Sequence, residues 1–146
     1  MQIKELGHVV LYVSDLERSA NFYRDTLGFP EIIRSHSFAI FSGGRTHHEL
    51  LLIEVEGSPE QKSIPKPGLY HIGFKIGDSP EDAQKAFREL KEKDVQIVGT
   101  GDHTVTHSIY ILDPDGNELE LYADVSDEWK KNPKSVMAAV KPLDLN

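Results

Sequence analysis

The chain has 146 residues and a net charge of −8, and this acidic balance disfavours nucleic acid and anionic membranes as partners. It contains no cysteine, which excludes disulfide bonds and thiolate metal sites. Its apolar runs fall short of the roughly 18 residues of a membrane span, and its first residues lack the apolar core of a signal peptide, so we expect a cytoplasmic protein.

The first half of the chain predicts one strand, one helix and three further strands. The apolar, β-branched run at residues 8–13 is typical of a buried strand. Asp15 then supplies an N-cap for a helix that ends at Gly28. The remaining strands are predicted at residues 31–34, 37–41 and 48–55.

The second half predicts the same order of elements after a linker rich in proline at residues 58–68. A helix begins after Asp78 or Ser79, with Pro80 in its first turn. The predicted strands lie at residues 70–76, 96–98, 109–112 and 118–122, and the turn Asp113-Pro114-Asp115-Gly116 joins the last two. The polar tail at residues 126–146 packs either across the outside of the domain or against a partner chain.

The two halves also repeat one motif. Residues 7–15 return as residues 70–78, and each copy places a histidine, His8 or His71, at the head of its first strand. We therefore divide a single domain, residues 1–125, into module 1 at about 4–57 and module 2 at about 69–124. The predicted fold is α+β, with two tandem βαβββ modules that form one curved mixed sheet around a metal site. Both histidines would face that site.

A carboxylate completes the predicted ligand set. Glu120 lies in the middle of the last strand, between Leu119 and Leu121, where a charge is costly unless a polar surrounding or a cation compensates it. His8, His71 and Glu120 would form the triad of two histidines and one carboxylate that leaves coordination positions open. A lone histidine on a strand is more often structural, and a lone glutamate is more often an exposed edge charge. The coincidence of all three at repeat-related positions favours the metal site.

The sequence resembles the vicinal oxygen chelate superfamily, which includes glyoxalase I, fosfomycin and bleomycin resistance proteins, and extradiol dioxygenases. The resemblance covers residues 4–124 and implies that His8, His71 and Glu120 are the metal ligands. Its marks are Gly7-His8-Val9-Val10, residues 21–29, Tyr70-His71-Ile72 and residues 113–120. Leu51 stands where glyoxalase-type members have a fourth ligand, and a leucine cannot bind a metal. This difference favours a three-ligand iron dioxygenase over a glyoxalase.

Three further stretches resemble the catalytic domain of extradiol dioxygenases. Residues 46–50 resemble the paired-histidine strand, which implies that His48 is the acid–base residue. Strict alternation along a strand would instead place His47 on the face of Leu51. Residues 101–104 resemble the loop whose histidine contacts catechol, which implies His103, although the spacing leaves His107 as a competitor.

Residues 108–110 resemble the strand whose tyrosine hydrogen-bonds the substrate, which implies a role for Tyr110; an ordinary core tyrosine is the alternative. The resemblance implies Fe(II), with Mn(II), Ni(II) or Zn(II) as other candidates, a small aromatic diol and O2 as substrates, and a homodimer or larger homo-oligomer. One rival function is a metal-dependent isomerase or lyase of the same superfamily. The other is a binding protein that sequesters an aromatic drug without chemistry and needs no metal.

Overall fold

A computed structural model of the protein describes residues 1–59 and 67–146. Most of the linker predicted at 58–68 therefore lies outside the described residues. The chain divides into two compact units. Unit 1 comprises Met1–Ile64 with Pro114–Gly116, and unit 2 comprises Pro65–Asp113 with Asn117–Asn146.

The elements follow the predicted order in both halves. Those of the first half are β1 (Val9–Val13), α1 (Leu16–Asn21), a π-helical turn (Phe22–Thr26), β2 (Glu31–Arg34), β3 (Phe38–Phe41) and β4 (Leu50–Glu54). Those of the second half are β5 (His71–Gly77), α2 (Pro80–Glu92), β6 (Ile97–Asp102), β7 (Thr106–Leu112) and β8 (Glu118–Asp124). The tail adds α3 (Glu128–Lys131) and a 3-10 turn (Pro133–Met137).

Unit 1 packs α1 against a four-stranded sheet in the order β1-β4-β3-β2, with β1 parallel to β4. The Asp15 carboxylate caps α1 by accepting a hydrogen bond from Arg18 N at 2.8 Å. Gly28, at a φ of 72°, takes the left-handed conformation that follows a helix end. Tyr23 and Phe41 are fully buried and provide much of the core volume beneath this helix.

Unit 2 repeats this plan, with α2 and a sheet in the order β5-β8-β7-β6. Ser79, one of the two predicted caps, accepts a hydrogen bond from Asp82 N and begins α2. Strand β8 alternates strictly: Leu119, Leu121 and Ala123 are buried, whereas the residues between them are half-buried. One face of the sheet therefore meets the apolar core, and the other carries polar side chains.

The α+β class and the two tandem βαβββ modules are confirmed. Among the described strands, however, pairing produces two sheets of four strands in place of the single curved sheet expected. Each sheet contains only strands of its own module, because the hairpins and the one parallel crossover join strands that follow one another in the sequence. A single sheet would require strands of different modules to pair.

The tail lies along β6, an edge strand of unit 2. Asp102 and Lys141 exchange two backbone hydrogen bonds, at 3.0 and 2.9 Å, and Thr100 Oγ1 donates to the carbonyl of Leu143 at 2.8 Å. Leu145 is only 3% exposed, so this part of the tail is packed against other residues. Separately, none of the helices in the described ranges has the length and apolar character needed to cross a membrane.

Candidate functional site

In unit 2, the parallel pairing of β5 with β8 brings His71 and Glu120 together. The register aligns His71 with Glu118 and Gly73 with Glu120, so His71 and both glutamates lie on the polar face. The Nε2 atom of His71 lies 3.1 Å from Oε2 of Glu120. A Cβ atom at Gly73 would lie 3.8 Å from the same carboxylate oxygen, so the backbone of β5 passes close to Glu120.

The Glu120 carboxylate is held by two hydroxyl groups on β7. Ser108 Oγ donates to Oε1 at 2.6 Å, and Tyr110 OH donates to the same oxygen at 3.3 Å. Tyr110 lies directly opposite Glu120 in the β7–β8 register. Loss of solvation, with the nearby negative charge of Glu120, raises the pKa of Tyr110 to about 12, so its phenol stays protonated at neutral pH and remains a donor.

The two candidate loop histidines of unit 2 differ in their contacts. His103 Nε2 lies 2.8 Å from Tyr110 OH, which extends the polar chain from Glu120 through Tyr110 to His103. His107 pairs with Asp102 in the β6–β7 register, and its Nε2 atom lies 4.0 Å from an Asp102 carboxylate oxygen. The hydrogen-bonded group around Glu120 therefore includes His103.

The second ring nitrogen of His71 has no hydrogen-bond partner among the described residues, although it is buried. The nearest carboxylate oxygen, from Glu118, lies 3.8 Å from it. Tyr70 donates to Glu118, and this hydrogen bond raises the pKa of the Tyr70 phenol. A buried unpaired nitrogen is costly, and a bound cation is one way to remove that cost. An imidazole beside a carboxylate is also a donor pair typical of transition-metal sites.

In unit 1, His8, His47 and His48 form a group of three imidazoles. His8 precedes β1, and the other two end the loop before β4. Their potential ligand atoms all lie within 4.8 Å of one another. The ring centroid of His8 is 4.3 Å from that of His48 and 5.9 Å from that of His47. The pKa of His48 is lowered mainly by loss of solvation and also by the nearby rings of His8 and His47. The lowered pKa favours the neutral form of His48.

The alternation argument for His47 does not apply, because β4 begins only at Leu50. Leu51 is apolar, and its neighbours on the adjacent strands are apolar as well. Leu51 pairs with Val10 on one side and Ile40 on the other. Val10 is 44% exposed, and Tyr12, on the same face of β1, is 71% exposed, so this face of unit 1 presents an accessible apolar surface.

Several residues of these groups were not among the predicted site residues. Ser108 lies two residues before Tyr110 on β7, and Glu118 lies two residues before Glu120 on β8, so each shares a face with the predicted residue. The alternation of side chains along a strand could have identified both from the sequence. Tyr70 adjoins His71 in the repeated motif but carried no chemical prediction. Glu49, which accepts backbone hydrogen bonds in the loop before β4, had no recognisable sequence signal.

Known proteins share sequence similarity with most of this chain. The family described as "Glyoxalase/Bleomycin resistance protein/Dioxygenase superfamily" matches residues 5–121. A catechol-2,3-dioxygenase from Bacillus subtilis is 33% identical over 122 residues, which is 82% of this chain but only 41% of that protein. The metallothiol transferase FosB of Staphylococcus haemolyticus is 33% identical over 126 residues, covering 82% of this chain and 84% of the transferase.

Solved structures share the fold. A glyoxalase/dioxygenase from Nostoc punctiforme superposes with a TM-score of 0.69 at 21% identity, covering 84% of this chain and 92% of that one. A lactoylglutathione lyase from Agrobacterium tumefaciens gives a TM-score of 0.63 at 22% identity, covering 84% and 96% of the two chains. At these identities the likeness concerns the fold alone.

Proposed function

Because the chain belongs to the glyoxalase/bleomycin resistance protein/dioxygenase superfamily, we propose that it is an Fe(II)-dependent extradiol ring-cleavage dioxygenase acting on a catechol-type aromatic diol. The observation that carries the proposal is the group around Glu120: an imidazole at 3.1 Å and a phenol that joins Glu120 to a second histidine. This group combines a metal-ligand pair with donors suited to substrate oxygens. The similarity to catechol-2,3-dioxygenase supports the same reaction.

The proposed iron ligands are His8, His71 and Glu120, with residues 1–125 acting as one domain. The donor set fits Fe(II), since two imidazoles and one carboxylate leave positions for further ligands. The unpaired buried nitrogen of His71 and the two hydroxyl donors on Glu120 also fit, because ligating carboxylates usually carry such hydrogen bonds. Mn(II), Ni(II) and Zn(II) are alternatives. When bound, the ion would bring both catechol oxygens and O2 together and lower the pKa of the diol.

Tyr110 and His103 are proposed to orient the substrate. Tyr110 is a protonated donor at neutral pH, and its 2.8 Å contact holds the His103 ring. On binding, the diol would receive the single Tyr110 proton, which faces Glu120 in the free protein, and would contact the His103 ring that Tyr110 holds.

His48 is proposed as the acid–base residue. Its lowered pKa keeps the ring neutral near pH 7, so it can accept a proton from the diol and return it later. In the proposed reaction, a C–C bond beside the two hydroxyl-bearing carbons breaks. Both atoms of O2 enter the ring-opened product, so no reductant is consumed.

The decisive experiment is anaerobic reconstitution with Fe(II), followed by oxygen uptake and visible absorbance with a panel of catechols. We expect one O2 consumed per catechol and a yellow ring-opened product. Tyr110→Phe should raise KM for the diol, with rates normalised to bound iron because the lost hydroxyl also holds Glu120. Stoichiometric iron binding without oxygen uptake across the panel would overturn the proposal.

A second candidate function is a metal-dependent transferase, isomerase or lyase. The observation that favours it is coverage, because the similarity to FosB spans 84% of that transferase whereas the dioxygenase is matched over 41% of its length. Such an enzyme would turn over a thiol or carbonyl substrate with Mn(II), Ni(II) or Zn(II) and consume no oxygen. Failure to bind any metal would instead favour a drug-binding protein.

The expected homodimer or larger homo-oligomer remains a prediction. The exposed apolar side chains of Val10 and Tyr12 are compatible with contact to a second copy of the chain as well as to a substrate. Light scattering coupled to size-exclusion chromatography would measure the mass directly. A mass of one chain, about 16.4 kDa, would contradict the prediction.

A further inference from the structure

We infer that His8, His47 and His48 form a second metal site, built entirely within unit 1, for a divalent ion that prefers imidazole ligands. Its ligand set differs from the proposed iron set and shares only His8 with it. Zinc, copper and nickel are the ions suited to three neutral imidazoles, whereas magnesium and calcium prefer oxygen ligands.

The three rings are close enough to bind one ion after small movements. Nitrogen ligands of a tetrahedral zinc lie about 3.4 Å apart, given Zn–N bonds of about 2.05 Å. The potential ligand atoms of the three histidines all lie within 4.8 Å of one another. The Nδ1 atoms of His47 and His48 lie 2.6 Å apart, in a hydrogen bond in which one ring nitrogen donates its proton to the other. His8 and His47 are exposed, so their rings are free to adjust.

The backbone beneath the rings holds this arrangement. Val9 N donates to Glu49 O at 2.9 Å, which extends the parallel β1–β4 pairing and fixes His8 beside His48. The Glu49 carboxylate accepts hydrogen bonds from Gly43 N at 2.7 Å and from Thr46 N at 2.9 Å. The loop that presents His47 and His48 is thus tied at both ends to one side chain. A site whose ligands are already positioned loses less conformational entropy on binding.

Occupancy of this site would regulate the proposed reaction, and this consequence rests on the proposed function. A zinc or copper ion held by His8, His47 and His48 withdraws His8 from the iron ligand set. It also engages the proposed acid–base residue, His48. Excess zinc is therefore expected to inhibit a dioxygenase that has already been loaded with iron.

The test of the site itself uses no activity. In the full-length chain, His71→Ala with Glu120→Gln removes both proposed iron ligands of unit 2 and leaves unit 1 unchanged. We expect this double variant to bind one Zn(II) by calorimetry. With Cu(II), its electron paramagnetic resonance spectrum should show coupling to imidazole nitrogen. Adding His47→Ala or His48→Ala should weaken zinc binding at least about tenfold, since each removes one of three ligands.

His36 provides the matched control. It is an exposed histidine of unit 1, in the turn between β2 and β3, and its Nδ1 atom lies 3.3 Å from Ser35 Oγ. His36→Ala in the double-variant background should leave zinc affinity unchanged. The inference is overturned if the double variant binds no zinc, or if His36→Ala weakens binding as much as His47→Ala does.

The regulatory consequence has its own readout. In the iron-loaded chain, the zinc concentration that halves the rate should rise at least about tenfold in His47→Ala, measured against the uninhibited rate of that variant. Equal sensitivity to zinc in the two proteins would overturn it. If no catechol is cleaved at all, the proposed function fails, whereas the zinc titrations of the double variant still decide the site.

Discussion

His71 and Glu120 lie on neighbouring parallel strands, with Nε2 of the imidazole 3.1 Å from Oε2 of the carboxylate. The contact depends on register, because β5 and β8 align His71 with Glu118 and Gly73 with Glu120. A shift of one residue in this pairing would move Glu120 to the apolar face.

The first prediction concerns this pair. Glu120→Gln should weaken Fe(II) binding at least about tenfold, because the amide replaces an anionic ligand that two hydroxyl groups hold in place. Glu118→Gln is the matched control, since Glu118 lies on the same face of the same strand and contacts Tyr70. Iron per chain after anaerobic desalting provides the measurement. Equal losses in the two variants would argue against Glu120 as a ligand.

The second prediction concerns His48. His48→Ala should lower turnover of a catechol by about 10²-fold, the scale typical of an acid–base residue, while Fe(II) content stays at the wild-type level. His36→Ala should match the wild type in both rate and iron. Steady-state oxygen uptake, normalised to bound iron, separates the effect on chemistry from the effect on loading. A full rate in His48→Ala would remove its assigned role.

The third prediction is a titration. Tyr110, whose pKa is raised to about 12, should account for a phenolate absorbance transition near pH 12 that Tyr110→Phe lacks. Because the folded pKa lies above the ordinary value of about 10, the stability contributed by the protonated phenol is full below pH 10. It is lost as the pH rises from about 10 through 12. Urea unfolding of both proteins should therefore give a stability difference that shrinks over this interval, and a transition at pH 10 would contradict the prediction.

The fourth prediction concerns the tail. Leu145→Ala should lower the free energy of unfolding by about 2 kcal/mol, because Leu145 is 3% exposed and the truncation removes buried apolar volume. Met137, which is 81% exposed, is the matched control, and Met137→Ala should change stability by less than about 0.5 kcal/mol. Denaturant unfolding would measure both. Indistinguishable midpoints would show that the tail end does not contribute to the core.

The order of elements could be predicted because local signals agree with one another. Asp15, Gly28 and Ser79 act as the helix boundaries that their residue types predict. The repeat at residues 7–15 and 70–78 indicated two equivalent modules, and both are present. The number of sheets could not be predicted, because it depends on whether strands of different modules pair, and no local sequence signal indicates this.

The candidate sites were only partly predictable for the same reason. The opposition of Tyr110 and Glu120 can be obtained by counting residues across the hairpin, and the register shows it. The strand predicted to start at His48 begins instead at Leu50, because the Glu49 carboxylate fixes the preceding residues as a loop. The contact of His103 with Tyr110 depends on the path of the loop after β6, which spacing alone does not determine.

The backbone pairing of Lys141 with Asp102 has a consequence for solubility. Strand β6 is at the edge of its sheet, where free amide and carbonyl groups can recruit a strand from another molecule. The tail occupies part of this edge, and Val140 lies so close to Gly101 that a methyl group there would be 2.9 Å from its side chain. Residues 140–143 thus block the association of β6 with a strand of another molecule. A protein shortened before Val140 should precipitate at concentrations at which the full chain stays in solution.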